Sequence, residues 1–328
     1  FWLENTIPFQ YRSVIREGIL EWNKAFEKAG YADAIEVRQQ PNNADWDAED
    51  INYNTFRWIT SSAGFAMGPS RVNPHTGQIL DADIIFDADF LQYWKREYET
   101  YTPKSIAALT GGALDLQTYR QQRADRLTSE SAMMLGCDRQ QSMSRQLAIG
   151  NTAIAAAGAT KENWTKDLER LTLQALKGTV MHEIGHTLGL RHNFKGSTML
   201  TLEEMHDRTK TSRKGVIASV MDYDAVNLAV GDQKQGDYYT TTIGPYDHWA
   251  IEYGYKPLKG GTNGEVEELQ KIASRSGEPE LCYATDEDTR GISPDPYSNR
   301  YDLGDDPIEF AKQRAELVQE LLPNVIEN

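Results

Sequence analysis

His182-Glu183-Ile184-Gly185-His186-Thr187-Leu188-Gly189-Leu190-Arg191-His192 (HEIGHTLGLRH) holds three of the six histidines in a chain of 328 residues. A four-residue spacing puts His182 and His186 on one face of a helix, one turn apart. Two imidazoles on a rigid helix can bind a borderline-soft cation such as Zn2+ without moving the backbone. Glu183, about 100° further round the helix, can face a water at such a site without being a ligand, which suits a general base. Gly189 tolerates the left-handed conformation that ends a helix, and the returning chain brings His192 round as a third nitrogen ligand. Three protein ligands leave a fourth position open, the arrangement of a catalytic centre and not a structural one. The bland alternative is a helix that happens to carry histidines. With average residue usage, the five fixed positions would occur by chance in on the order of one in a hundred thousand chains of this size.

Working outward, the helix that carries this stretch should run from about residue 162 to 188. One apolar stripe is Leu168, Leu171, Ala175 and Thr179, extended by His182 and His186. A second is Leu173, Leu176, Val180, Ile184 and Leu188, and apolar residues on two sides predict a helix buried in the core. Residues 88–162 before it are poor in β-branched residues, with helical patches at 116–126 and 142–157, and read as a helical insertion. The first 87 residues read as strand 1–5, helix 10–29, strand 34–38, an acidic loop at 41–50, and strands 56–60, 64–72 and 79–86. The last alternates apolar and acidic residues (ILDADIIF), predicting one buried and one wet face. After Leu190 the chain is rich in loops, with helical patches at 245–253 and 266–273. The fold class is therefore α/β (α+β): a twisted, mostly parallel sheet with helices packed on it.

Charge and composition bound the function. Thirty-four Lys and Arg face 49 Asp and Glu, a formal net charge of −15. Such a surface disfavours nucleic-acid binding and docking on anionic membranes. No apolar run reaches the roughly 20 residues a bilayer-spanning helix needs. The chain begins at Phe1 and ends in a helix-like segment, so it reads as a fragment of a longer polypeptide with flanking domains. Cys137 and Cys282 could pair or remain free thiols.

With the long zinc pattern in place, the sequence resembles the metzincin zinc peptidases. A second mark agrees: Ser219-Val220-Met221-Asp222-Tyr223, about thirty residues after His192, resembles the tight methionine turn of that family. The opening residues 1–31, HTGQILDADIIFDADF and IGPYDHWAIEYGY are similar to further parts of it. Together they resemble the catalytic domain of large bacterial, multidomain secreted or surface zinc metallopeptidases. The resemblance implies one catalytic Zn2+ on His182, His186 and His192, Glu183 as general base, Met221 as a packing floor, and Tyr223 as a donor to the oxyanion. It implies a metzincin-like fold with an antiparallel edge strand, an N-terminal subdomain over residues 1–190, and a C-terminal subdomain with the methionine turn over 191–328. It also implies a protein or peptide substrate lying extended against the edge strand, for which 64–72 is the candidate, and an extracellular, periplasmic or cell-surface location. The pocket for the residue after the scissile bond would lie between the helix at 179–190 and residues after Tyr223. The insertion at 88–162 departs from compact members.

Two alternatives stand beside this reading. A catalytically silent zinc-binding or adhesion module could keep the fold. Asp81, Asp83, Asp87 and Asp89 could hold Ca2+, although a solvated strand face explains them as well. His75, His206 and His248 stand alone and are expected at the surface.

Overall fold

The computed structural model describes residues 1–60, 66–88, 139–156, 161–231, 233–259, 261–290 and 294–327. Its strands in chain order are β1 (Trp2–Leu3), β2 (Arg38–Gln39), β3 (Thr55–Ile59), β4 (Ala66–Met67), β5 (Ser70–Val72), β6 (Ile79–Ala82) and β7 (Ile84–Asp87). Five of them form one sheet in the order β2-β1-β3-β7-β4. The pairs β1–β2, β1–β3 and β3–β7 are parallel, and β4 runs antiparallel at the edge. The mostly parallel sheet with an antiparallel edge strand is thus borne out. A parallel pair needs a crossover, and two helices between β1 and β2 supply it: α1 (Phe9–Leu20) and α2 (Asn23–Ala29).

The expected single helix over 10–29 is broken at Glu21–Trp22. Asn23 explains the break, because its side chain exchanges two hydrogen bonds with the backbone of Ile35: Nδ2 donates to the carbonyl at 2.9 Å and Oδ1 accepts from the amide at 2.8 Å. The residues around Ile35 are accordingly held from the helix, and β2 forms only at Arg38–Gln39 and not over 34–38.

The strand expected over 79–86 is also two. Asp83 leaves the ladder, and its Oδ1 accepts from the amide and hydroxyl of Thr55 at 2.9 and 2.8 Å. The chain changes sheets there, with β6 pairing β5 in a separate two-stranded sheet and β7 entering the main one. The break shifts the alternation, so Asp81 and Asp87 are buried while Leu80 is exposed, and the wet acidic face is corrected. Asp81 pairs with Arg71 at 3.6 Å. The strand expected over 64–72 likewise divides into β4 and β5. Residues 61–65, Asp89, the helical patch at 116–126 and Cys137 lie outside the described residues.

Helices α3 (Arg139–Ala156) and α4 (Lys161–Thr187) follow. Helix α4 crosses the centre of the molecule, and Leu171, Ala175, Leu176, Val180, Met181 and Ile184 are all fully buried. Two glycines permit its close packing. A Cβ at Gly18 of α1 would meet Val180 Cγ1 at 2.8 Å, and one at Gly150 of α3 would meet Leu171 Cδ2 at 2.9 Å. Val220, Met221, Val226, Tyr239 and Ile251 join the same core from the C-terminal half. That half is loop-rich, as expected, with α5 (Arg208–Lys214), α6 (Pro245–Tyr255), α7 (Gly261–Ala273) and α8 (Pro307–Glu327). No helix of the described residues is long and apolar enough to cross a membrane.

Candidate metal centre

Helix α4 carries His182, Glu183 and His186 in its last two turns and then stops at Gly189, which has φ +89°. The Gly189 amide donates to the carbonyl of His186 at 2.9 Å, and the Leu190 amide to that of Gly185 at 3.0 Å. This pair of bonds is a Schellman C-cap, which satisfies helix-end carbonyls while reversing the chain. The reversal returns His192 to the helix face. The imidazole centroids of His182, His186 and His192 lie 4.6, 4.8 and 5.4 Å apart. One ligand atom from each lies within 4.8 Å of the other two, a group able to hold a metal ion.

The surroundings dictate which nitrogen each ring offers. His182 Nδ1 donates to the Val220 carbonyl at 2.7 Å, His186 Nδ1 to the Leu190 carbonyl at 2.9 Å, and His192 Nδ1 to Asp286 Oδ2 at 2.8 Å. All three partners are acceptors, so each Nδ1 carries the proton and each Nε2 keeps its lone pair. Three neutral imidazoles converging through Nε2 match the borderline-soft character of zinc and its three-histidine catalytic sites. The residues present therefore fit a zinc ion.

The methionine turn packs against the helix between His182 and His186. Met221 is fully buried, and a Cβ at Gly185 would collide with its Sδ and meet Trp22 Cζ2 at 3.0 Å. The Met221 carbonyl accepts from the amide of Asn193, so the turn is bonded to the residue after the third histidine at 3.0 Å. Tyr223 is buried, its ring centroid 4.8 Å from that of His192, and its hydroxyl donates to His192 Nε2 at 3.0 Å. The phenol thus stands beside the nitrogen that would face the ion. Glu183 is fully buried next to His182. Above it, a Cβ at Gly68 would collide with the Glu183 carbonyl oxygen, so the chain just after β4 lies directly against the active helix. The small residue there serves packing within the fold.

Three further residues were not visible from the zinc pattern. Asp247 of α6 is fully buried and accepts from Ser219 Oγ, the Val220 amide and the Gly244 amide at 2.7, 2.9 and 2.8 Å. It holds the turn whose Val220 carbonyl orients His182, and burial pushes its carboxyl up to about 6 against those bonds. Asp286 orients His192. Its hydrogen bond from His192 and the charge of Arg300 hold its carboxyl down at about 2 despite partial burial. Arg300 donates to Asp286 Oδ1 at 2.7 Å and lies over the rings of Phe194 and Tyr223 at 4.8 and 5.6 Å. Nothing in the local sequence singled out any of the three.

His75 is exposed, but His206 and His248 are half-buried, and burial lowers both pKa values, that of His248 to about 4. The surface assignment fails for these two because the loop at Gly236 packs on His206 and the helix α6 that carries His248 packs against α2. Among the described residues no second group of three metal-ligating side chains accompanies the histidines. Cys282 is a half-buried free thiol. A cavity of about 490 Å³ opens between Leu188–Arg191 and α6, lined by Leu190, Tyr246, Trp249, Tyr253 and Tyr283. The family model of the Met-zincins matches residues 165–328, which include the histidine triad, the methionine turn and Asp286. No curated protein and no solved structure matches the chain.

Proposed function

The chain belongs to the Met-zincin family, and from that premise we propose that it is a zinc-dependent endopeptidase. The observation that carries the reading is the commitment of all three Nδ1 atoms to acceptors, which leaves the Nε2 atoms as donors to a metal in a group whose ligand atoms lie within 4.8 Å of one another. Zinc, when bound, supplies a Lewis acid that polarises the scissile carbonyl and favours deprotonation of water. Glu183, next to His182 on the same helix, takes the proton from the attacking water and passes it to the leaving nitrogen. Tyr223 donates its hydroxyl proton in a hydrogen bond to the oxyanion that develops on the carbonyl. Met221 makes no bond in the reaction; it packs beneath the imidazoles and keeps their approach rigid. The peptide lies extended along β4, the antiparallel edge, where unpaired backbone groups can add a strand. Its residue after the scissile bond enters the cavity between Leu188–Arg191 and α6.

The experiment is Glu183→Ala with zinc content and cleavage of a quenched peptide library measured together. We expect one zinc per chain in both proteins and a fall of several orders of magnitude in cleavage. Cleavage by the variant at the parental rate would reject Glu183 as the base. No cleavage by the parent, with zinc bound, would favour the alternative of a silent zinc-binding module. Retention of the glutamate and all three histidines argues for the enzyme, because a module without catalysis has no need of the base.

A further inference from the structure

Residues 282–290 and 294–302 are bonded to the third-ligand loop at several points. The Phe194 amide donates to the Ala284 carbonyl at 2.7 Å, Asn193 Nδ2 to the Cys282 carbonyl at 3.0 Å, and the Ala284 amide to Asn193 Oδ1 at 3.2 Å. Lys195 pairs with Asp295 at 2.7 Å, and the Tyr301 amide donates to the Tyr223 carbonyl at 2.7 Å. Every one of these contacts lands on residues 193–195 or on Tyr223. In the middle of the segment, Asp286 divides its two oxygens, Oδ2 taking His192 Nδ1 and Oδ1 taking Arg300. Arg300 in turn lies over Tyr223.

We infer that Asp286, held by Arg300, is a positioning residue for the metal centre: it sets the tautomer and orientation of His192, and residues 282–286 with 295–301 align His192 and Tyr223 as one unit. The other two histidines are oriented by backbone carbonyls, which no substitution can remove. The Nδ1 of His192 is instead held by a side chain, that of Asp286. An ionised carboxylate on Nδ1 also raises the basicity of Nε2 more than a carbonyl does. Asparagine cannot replace it. One amide oxygen can accept from His192 or from Arg300, and the amide nitrogen then faces a second donor. The inference rests on the zinc reading of the site but not on peptidase activity.

The test is zinc affinity, by competition with a chromogenic chelator, together with the visible spectrum of the cobalt-substituted protein. Variants are Asp286→Asn, Asp286→Ala, Asp286→Glu and, as a control on the same segment, Glu287→Gln. Glu287 pairs with Arg191 in solvent and touches no ligand. Outer-sphere partners of this kind typically change metal affinity by about 10–100-fold, and we expect that loss in Asp286→Asn and Asp286→Ala. A changed cobalt spectrum, partial recovery in Asp286→Glu and an unchanged Glu287→Gln complete the expected pattern. Urea unfolding of each zinc-stripped variant separates positioning from folding. Unchanged affinity in Asp286→Asn overturns the inference. So does an affinity loss matched by an equal loss of stability in the zinc-stripped protein, or the same loss in Glu287→Gln. A parent that binds zinc tightly but cleaves nothing rejects the peptidase reading and leaves this one standing.

Discussion

Gly185 packs directly against the sulfur of Met221, so closely that no Cβ fits between them. The glycine between the two helical histidines is therefore a socket for the methionine turn. Gly185→Ala would improve local helix propensity, yet overpacking at a fully buried contact costs about 1–3 kcal/mol. We expect a net loss of stability in urea unfolding. Shortening the partner should restore part of it, so Gly185→Ala with Met221→Ala should be more stable than the sum of the two single losses. Strict additivity would mean that the two residues do not share the space.

Asp247 holds three donors of the methionine turn and its neighbour Gly244 in a fully buried site. Asp247→Asn turns one acceptor into a donor and strands at least one buried N–H or O–H. Leaving such a group unsatisfied costs about 1–3 kcal/mol. Because Val220 orients His182, the variant should also bind zinc more weakly. Full stability with normal zinc affinity would show that the carboxylate is dispensable.

His248 titrates against folding. Burial, then the charges of Lys28 and Lys24, lower its pKa to about 4, below the ordinary value of 6.5. The unfolded chain therefore binds this proton more readily than the folded one between those values. Its contribution to stability is complete above about pH 6.5 and is lost as the pH falls towards 4. Compared with the parent, His248→Gln should show a shallower decline in urea midpoint over that window, with both proteins studied zinc-free. Parallel declines would place the titration elsewhere.

Zinc should couple to folding. The ligands are assembled only when α4, the Gly189 cap and the loop at His192 are in place, so an ion binds the folded chain and little of the unfolded one. Zinc at 100 times its dissociation constant should add about 2.7 kcal/mol. Removal by a chelator should lower the thermal midpoint, and added zinc should recover it. A midpoint indifferent to the chelator would mean no ion is bound.

Tyr223 offers a separate reading of the chemistry. Its hydroxyl is within hydrogen-bond distance of His192 Nε2, so Tyr223→Phe removes a donor without altering the packing ring. Loss of one oxyanion donor typically costs about 10²–10³ in kcat. We expect that fall at unchanged zinc content. An unchanged kcat would assign the tyrosine to packing alone.

How much of this was legible in the sequence depends on the range of each interaction. The helix at Lys161–Thr187, the stop at Gly189 and the three ligands follow from local periodicity and from glycine's conformational freedom, so a reading of neighbouring residues finds them. The strand reading failed at Asp83, and the helix reading at Trp22, for one shared reason. At each point a side chain bonded to a distant backbone, Thr55 or Ile35, outweighed an uninterrupted local pattern.

The placing of His182, Glu183 and His186 on the last turns of one helix was thus determined by the sequence itself, because spacing along a helix fixes direction in space, whereas the antiparallel edge was expected only from the family resemblance. What holds His182 and His192 was decided only by the tertiary structure, whereas His186 is held by Leu190 within the local helix cap. Val220, Asp286 and Asp247 reach the site from 38 to 94 residues away and carry no local signature. Hydrogen bonds depend on position and angle, and the chain sets those only once it has closed on itself.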